Sequence, residues 1–193
     1  MAFPSMNRNE RYTYKDYLAW PEEERWELID GLPYMQATPS RIHQKISGEL
    51  FLQIGNYLRG KTCEVYHAPF CVRLQKAEES EDDVTTVVEP DITIVCDQTK
   101  LDNKGCKGSP DLIMEIISDS TGRRDKLDKF NKYENAGVTE YWIVEPGDKL
   151  VSVFKLGENK RYGRPEIYTD NDIINVEMFS GLAIDLKPVF EFF

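Results

Sequence analysis

The segment Asp111-Leu-Ile-Met-Glu115-Ile-Ile-Ser118 places one carboxylate inside an apolar run. Leu112, Ile113, Met114, Ile116 and Ile117 read as a strand covered on both faces, as at the centre of an α/β sheet. An ionised Glu in such surroundings is costly unless something compensates its charge. Upstream, Glu89-Pro-Asp91-Ile-Thr-Ile-Val95 sets a second carboxylate, Asp91, at the head of another apolar strand. Two carboxylates on neighbouring strands suit a hard divalent cation, because Mg²⁺ takes oxygen ligands and retains several waters. The spacing therefore points to metal-dependent chemistry. Plainer readings exist for each residue: Glu115 paired with a buried Lys or Arg for structural reasons, and Asp91 as a turn residue after Pro90.

The elements that must position these carboxylates follow from the hydrophobic pattern. Thr13-Tyr-Lys-Asp16 is a helix start, and a second short helix is expected from Pro21, with Glu22, Glu23 and Glu24 against its positive end. Trp26–Ile29 and Leu32–Met35 flank Asp30-Gly31, the signature of a type I′ hairpin, and Pro33 assigns the second arm to a sheet edge. Ser40 caps a helix over Arg41–Arg59, whose Ile42, Ile46, Leu50, Ile54 and Leu58 recur at helical spacing. Cys63 to Leu74 reads as one strand, and Gln98 to Ser109 as an exposed connection. A helix is expected from Ser120 or Thr121 to about Ala136, stopped by Gly137. Glu140–Pro146 then forms a strand parallel to the Glu115 strand, because a helical crossover joins them. On the helix, Asp125, Lys129 and Tyr133 form one stripe, with Leu127 and Phe130 on the packed face and Lys129 at its border. The remainder is β: Leu150–Leu156 alternates, Arg161–Thr169 returns, and apolar anchors at Leu182, Ile184, Leu186, Val189 and Phe190 close the chain. The order is α/β in character, with hairpins added at the N- and C-terminal parts.

Length and composition bound the rest. The 193 residues suffice for one domain, 1–193, and the 40% apolar and 11% aromatic content fits a folded chain. No apolar run is long enough to span a membrane and the start lacks a signal-peptide core, so a cytoplasmic location is expected. Cys63, Cys71, Cys96 and Cys106 lack the close pairing of a zinc site and read as free thiols, with Cys71 and Cys96 in strands. With only His43 and His67, a His-rich zinc site is not indicated. The net charge of −10 is unfavourable for nucleic-acid binding, but it is uneven: Glu78, Glu79, Glu81, Asp82 and Asp83 concentrate acid in one loop, whereas Arg123, Arg124, Lys126, Lys129 and Lys132 follow the Glu115 strand.

Taken in order, Glu27-Leu-Ile-Asp-Gly31, His43, Pro90-Asp91, Glu115-Ile-Ile-Ser118, the Asp125, Lys129, Tyr133 series and Gly137-Val-Thr-Glu-Tyr-Trp142 resemble the Uma2 family, within the PD-(D/E)XK nuclease superfamily. The resemblance covers roughly Tyr12 to Leu186. It implies a restriction-endonuclease-like mixed β-sheet core flanked by helices, with Mg²⁺ or Mn²⁺ bound by an Asp and a Glu on adjacent strands, here Asp91 and Glu115. The superfamily places a Lys two positions after the Glu; this chain has Ile117 there. The resemblance moves the lysine to the following helix, where Lys129 matches.

The expected function is a metal-dependent phosphodiesterase, a DNA endonuclease. Asp91, Glu115 and the backbone carbonyl of Ile116 are the candidate metal ligands, and Lys129 is the third catalytic residue. Glu27, Asp125 and His43 are accessory candidates, and Arg123, Arg124 and Lys126 are candidates for gripping nucleic-acid phosphates. A homodimer is the expected assembly, since two strands of a duplex call for two sites. A catalytically inactive binding module of the same fold, and a hydrolase of RNA or another phosphate ester, remain open alternatives.

Overall fold

The computed structural model describes residues 10–21, 24–76, 78–118, 122 and 124–191. In chain order it contains α1 (Tyr14–Tyr17), β1 (Trp26–Ile29), β2 (Leu32–Met35), α2 (Arg41–Leu58), β3 (Glu64–His67), β4 (Val72–Arg73), β5 (Val87–Val88) and β6 (Ile92–Val95). These are followed by β7 (Leu101–Asp102), β8 (Gly105–Lys107), β9 (Leu112–Ile116), α3 (Phe130–Ala136), β10 (Glu140–Glu145), β11 (Leu150–Lys155), β12 (Glu166–Thr169), β13 (Ile173–Asn175), β14 (Ala183–Asp185) and α4 (Leu186–Phe190).

One six-stranded sheet has the order β12-β11-β10-β9-β6-β3, a second has β2-β1-β5-β4-β8-β7, and β13 pairs with β14. Every residue of β9 is buried, as its uninterrupted apolar run requires. It runs parallel to β10 and antiparallel to β6. The two faces of this sheet have different partners. Ile46, Leu50 and Ile54 of α2 pack with Ile92, Leu112 and Met114, while Ile113 meets Tyr133 and Tyr141 together with Ile29, Val72 and Val88 of the second sheet. The mixed α/β architecture with hairpins at both ends is the one expected. No helix among the described residues is long and apolar enough to cross a membrane.

Local signals hold where they are self-contained. Ser40 accepts the His43 N–H at 3.2 Å and starts α2. Asp30 and Gly31 both take positive φ, 52° and 75°, as a type I′ turn needs, and β2 with Pro33 is the sheet edge. A side chain at Gly31 would also press on Arg11 and the Tyr12 carbonyl at 3.0 Å. Gly137 stops α3 with φ 86°.

Other expectations are corrected. The expected strand from Cys63 to Leu74 is two strands in different sheets, β3 and β4, interrupted around Pro69, which has no N–H to give to a ladder. The connection from Gln98 to Ser109 is not simply exposed: β7 and β8 extend the second sheet and Cys106 is buried. Cys63 and Cys96 form a disulfide, because the register Glu64↔Val95 sets them opposite each other one step further on; only Cys71 and Cys106 are free. The helix expected from Ser120 or Thr121 begins on residues outside those described, and Arg124–Lys129 winds as a π-helix before α3. This wider winding leaves Leu127 exposed rather than packed and buries Lys129 fully. The short helix expected at Pro21 falls partly on residues 22 and 23, outside the description; a turn bond joins Glu24 to Pro21.

Candidate active site

Antiparallel pairing of β6 with β9 ends at Ile92↔Met114, so Asp91 and Glu115 follow one step beyond, side by side at the ends of adjacent strands. Asp91 is tied there by its own side chain: Oδ2 accepts the Ile116 N–H at 2.7 Å and lies 3.1 Å from His43 Nε2, on the first turn of α2. Glu115 is held from the other face. Its Oε1 accepts from Lys129 Nζ at 2.9 Å and from Tyr133 OH at 2.6 Å. Glu115 thus has one oxygen that takes two donors and Asp91 one that takes the Ile116 N–H beside His43, and in each the second oxygen has no hydrogen bond among the described residues. Both residues line a cleft of about 440 Å³, together with His43, Asp125 and Lys129.

Lys129 is the hub. Its Nζ also lies 2.8 Å from Glu27 Oε1 and 3.5 Å from Asp125 Oδ1. Glu27 arrives from the second sheet, on β1. It is fully buried, accepts the Glu89 N–H at 2.9 Å and the Gln36 side-chain amide, and sits 3.9 Å from Arg124 Nη1. The hairpin is fastened to α3 a turn further on, where Lys132 Nζ donates to Asp30 at 2.6 Å. Asp125 lies in the π-helical turn, whose backbone is pinned by Tyr141 OH donating to the Asp125 carbonyl at 3.0 Å.

Among the described residues, four carboxylates (Glu27, Asp91, Glu115 and Asp125) gather around Lys129, Arg124 and His43 in a largely desolvated place. Burial pushes the Glu115 carboxyl well above its ordinary range; Lys129 opposes that, while Asp125, Asp91 and Glu27 add to it. Burial by itself would lower the Lys129 pKa, but Glu115, Glu27 and Asp125 outweigh it and hold the ammonium charged. Burial and the Glu115 charge raise Tyr133 well above its usual value, so it serves as a neutral donor.

These residues also meet the requirements of a small divalent cation. Two carboxylate oxygens without a hydrogen bond among the described residues, at adjacent strand ends and lining one cleft, are hard donors of the kind such a cation takes. No group of three or more His, Cys, Asp and Glu side chains among the described residues forms a ready-made cage. That suits Mg²⁺, which typically uses one or two carboxylates and keeps its waters.

The structure therefore brings together Asp91, Glu115, Lys129, Glu27, Asp125 and His43. The basic candidates do not join them as a patch. Arg124 sits over the Tyr34 ring at 4.5 Å, Lys126 is exposed and paired with Glu145 away from the cleft, and Arg123 lies outside the described residues. Sequence reasoning missed Gln36 and Glu89, which hold Glu27. The available signal was Glu27 itself, a carboxylate in the strand Trp26-Glu-Leu-Ile29 that had to find donors once buried.

A mixed sheet with acidic strand ends, flanked by α2 and α3, is a nuclease-like α/β arrangement. A crystal structure described as "a putative nuclease belonging to DUF820 from Anabaena variabilis ATCC 29413" shares the fold, with a TM-score of 0.74 over 93% of this chain and 97% of that one, at 17% identity. The family model "Uma2: Putative restriction endonuclease" matches residues 14–187, and the chain belongs to this family. It is also 27% identical over 133 residues to "Uncharacterized protein slr1290" of Synechocystis sp., a match spanning 67% of this chain and 66% of that protein.

Proposed function

We propose that this protein is a metal-dependent phosphodiesterase, a DNA endonuclease. The observation that carries the reading is the pair of half-used carboxylates: Asp91 and Glu115 each keep one oxygen hydrogen-bonded and the other without a hydrogen bond among the described residues, beside a buried lysine. Asp91 and Glu115, with the Ile116 main-chain carbonyl, would hold Mg²⁺ or Mn²⁺. When bound, the cation lowers the pKa of a coordinated water and polarises the scissile phosphate.

The protein's own groups divide the remaining work. The Ile116 N–H and His43 fix Asp91, so its carboxylate cannot rotate away from the cleft. Tyr133 fixes Glu115. Lys129, kept charged by Glu27 and Asp125, is placed to orient the attacking water and to offset charge building on the phosphate. Lys129 thereby supplies the function that Ile117 cannot, reaching Glu115 from the following helix instead of from two residues along the strand. Arg124 and Lys126 are available for flanking phosphates once their present partners are exchanged, a contact that positions without reading sequence.

The same crowding of carboxylates defines the alternative. Without a cation the cleft repels phosphate, and the protein would be an inactive module of this fold. Calorimetric titration of Mn²⁺ into the parent and Glu115→Gln separates the two. The expected result is binding by the parent only, with cleavage of DNA reduced at least about a thousandfold in the variant, a barrier change of about 4 kcal/mol. Equal cleavage by Glu115→Gln would sink the proposal. Parallel assays on RNA and on simple phosphate diesters decide the substrate, and sedimentation with and without duplex DNA decides whether two copies act together.

A further inference from the structure

Arg124 and Lys126 do not line the cleft; among the described residues, the lysine and arginine side chains that do are Lys129 and Arg25. Their situations differ. Lys129 Nζ lies 2.8–3.5 Å from three carboxylates, so its charge is already shared. Arg25 has one carboxylate partner among the described residues, Glu89, and its side chain is 35% exposed.

Strand pairing sets where Arg25 stands. It directly precedes β1, and its carbonyl accepts the Gln36 N–H at 2.8 Å, one step beyond the Trp26↔Met35 pair. In an extended chain residues two apart share a face, so Arg25 and Glu27 lie on the same side of this strand. The Arg25 side chain is then fixed by Glu89, in the passage from β5 of the second sheet to β6 of the first, two residues before Asp91. Nε donates to Glu89 Oε2 at 2.9 Å, and Nη2 lies 2.8 Å from the same oxygen. The Glu89 N–H in turn donates to Glu27 Oε1, the atom that lies 2.8 Å from Lys129 Nζ. Arg25 and Lys129 are therefore held in one connected frame, through Glu89 and Glu27.

A guanidinium carries its N–H donors in a rigid plane, accepts no hydrogen bond and keeps its charge at any ordinary pH. Glu89 takes one edge of that plane. The Nη1 end has no hydrogen bond among the described residues, on a side chain that lines the cleft and is partly open to solvent. A nucleic-acid strand entering a cleft lined by Glu89, Asp91, Glu115 and Asp125 meets like charge at each of them. A metal at Asp91 and Glu115 offsets this for the phosphate being cut, but a flanking phosphate needs a cation of its own. Arg25 is such a cation with donors to spare, and the planar fork of arginine matches phosphate oxygens.

We propose that Arg25 binds a nucleic-acid phosphate flanking the scissile one, its Nη1 end donating to a non-bridging oxygen while Glu89 keeps the other edge. The inference rests on the phosphodiesterase reading and adds a contact to the same site. Arg25 makes and breaks no bond and transfers no proton. It positions the strand, and the contact carries no sequence information.

The test uses the full chain with Ca²⁺ in place of Mn²⁺, so that the strand is not consumed. It reads the affinity for a fluorescein-labelled single-stranded oligodeoxynucleotide by anisotropy across a KCl series. Arg25→Gln should weaken binding about tenfold, the size expected for a hydrogen bond to a charged group. Its log K should also fall less steeply with log salt, by up to about 0.7, because one phosphate contact is lost. Arg25→Lys keeps the charge without the fork, so it should keep the parent's salt slope and recover part of the affinity. The double variant Arg25→Gln/Glu89→Gln leaves no carboxylate unpaired, should share the shallower slope, and carries the test if Arg25→Gln does not fold. Mn²⁺ affinity of Arg25→Gln, titrated separately, should not fall. A parent-like salt slope in Arg25→Gln, or in the double variant, overturns the inference and makes the Arg25–Glu89 pair structural. Cleavage by the parent with Mn²⁺ would then leave the phosphodiesterase reading intact, whereas a parent that neither binds nor cleaves the oligonucleotide overturns both.

Discussion

Lys129 and Arg73 are both buried cations surrounded by carboxylates, and they solve that situation differently. Arg73, on β4 of the second sheet, has a side chain with no exposed surface and bonds Glu81 at 2.5 Å, Asp102 at 2.8 Å and the Cys106 carbonyl at 3.3 Å. Its two acidic partners stand 31% and 43% exposed, so water shares the cost of their charge. The partners of Lys129 (Glu27, Glu115 and Asp125) are at most 5% exposed, so water shares little of the cost of their charge. One cluster is a closed clamp that ties the Glu81 turn and the edge strand β7 to β4. The other is a buried cluster of carboxylates facing a cleft, where the proposed function puts a cation.

The contrast can be broken in three ways, in decreasing order of effect. Lys129→Met leaves three buried carboxylates without their shared cation and should cost about 3–5 kcal/mol in urea unfolding, part of it restored by Mn²⁺. A loss below about 1 kcal/mol would mean the cluster is better solvated than its burial implies. Mn²⁺ at about 100 times its Kd should stabilise the parent by about 2.7 kcal/mol, read as a rise in Tm that is absent from Glu115→Gln. Arg73→Met should cost about 2 kcal/mol, because Glu81 and Asp102 can turn into water while the Cys106 carbonyl loses a donor. The Arg73 variant should keep the full response to Mn²⁺; losing it would show that the two clusters are coupled.

What could be read from the sequence was what depends on near neighbours. The Asp30-Gly31 turn, the Ser40 cap, the apolar spacing of α2 and the helical crossover that makes β9 and β10 parallel are local statements, and each holds. The failures share a cause, the choice of distant partners. Apolar alternation from Cys63 to Leu74 gives no sign that the chain changes sheets near Pro69. Nor does the spacing of Cys63 and Cys96 reveal that two strands will face them. Lys129 was placed at the border of a helix because a regular turn was assumed; the π-winding of Arg124–Lys129 turns it inward and Leu127 outward. For the site, the family resemblance supplied Asp91, Glu115 and Lys129 as a set. The groups that fix them, His43, Tyr133 and the Ile116 N–H, depend on how helices and strands pack and became visible only in three dimensions.

The position of Glu27 has a consequence in time. This residue belongs to the hairpin near the start of the chain, and its partner Lys129 lies beyond eight intervening strands of both sheets. The fastening beside it, Lys132 to Asp30, closes a span of 102 residues. Contacts of such separation form late, because a long loop must be closed before they return any energy. The Lys129 cluster is therefore completed only when the hairpin docks, and a chain still emerging or partly unfolded carries its carboxylates unassembled. Under the proposed function, the ability to cut nucleic acid would be acquired at the end of folding, so an immature copy poses no hazard to the cell that makes it.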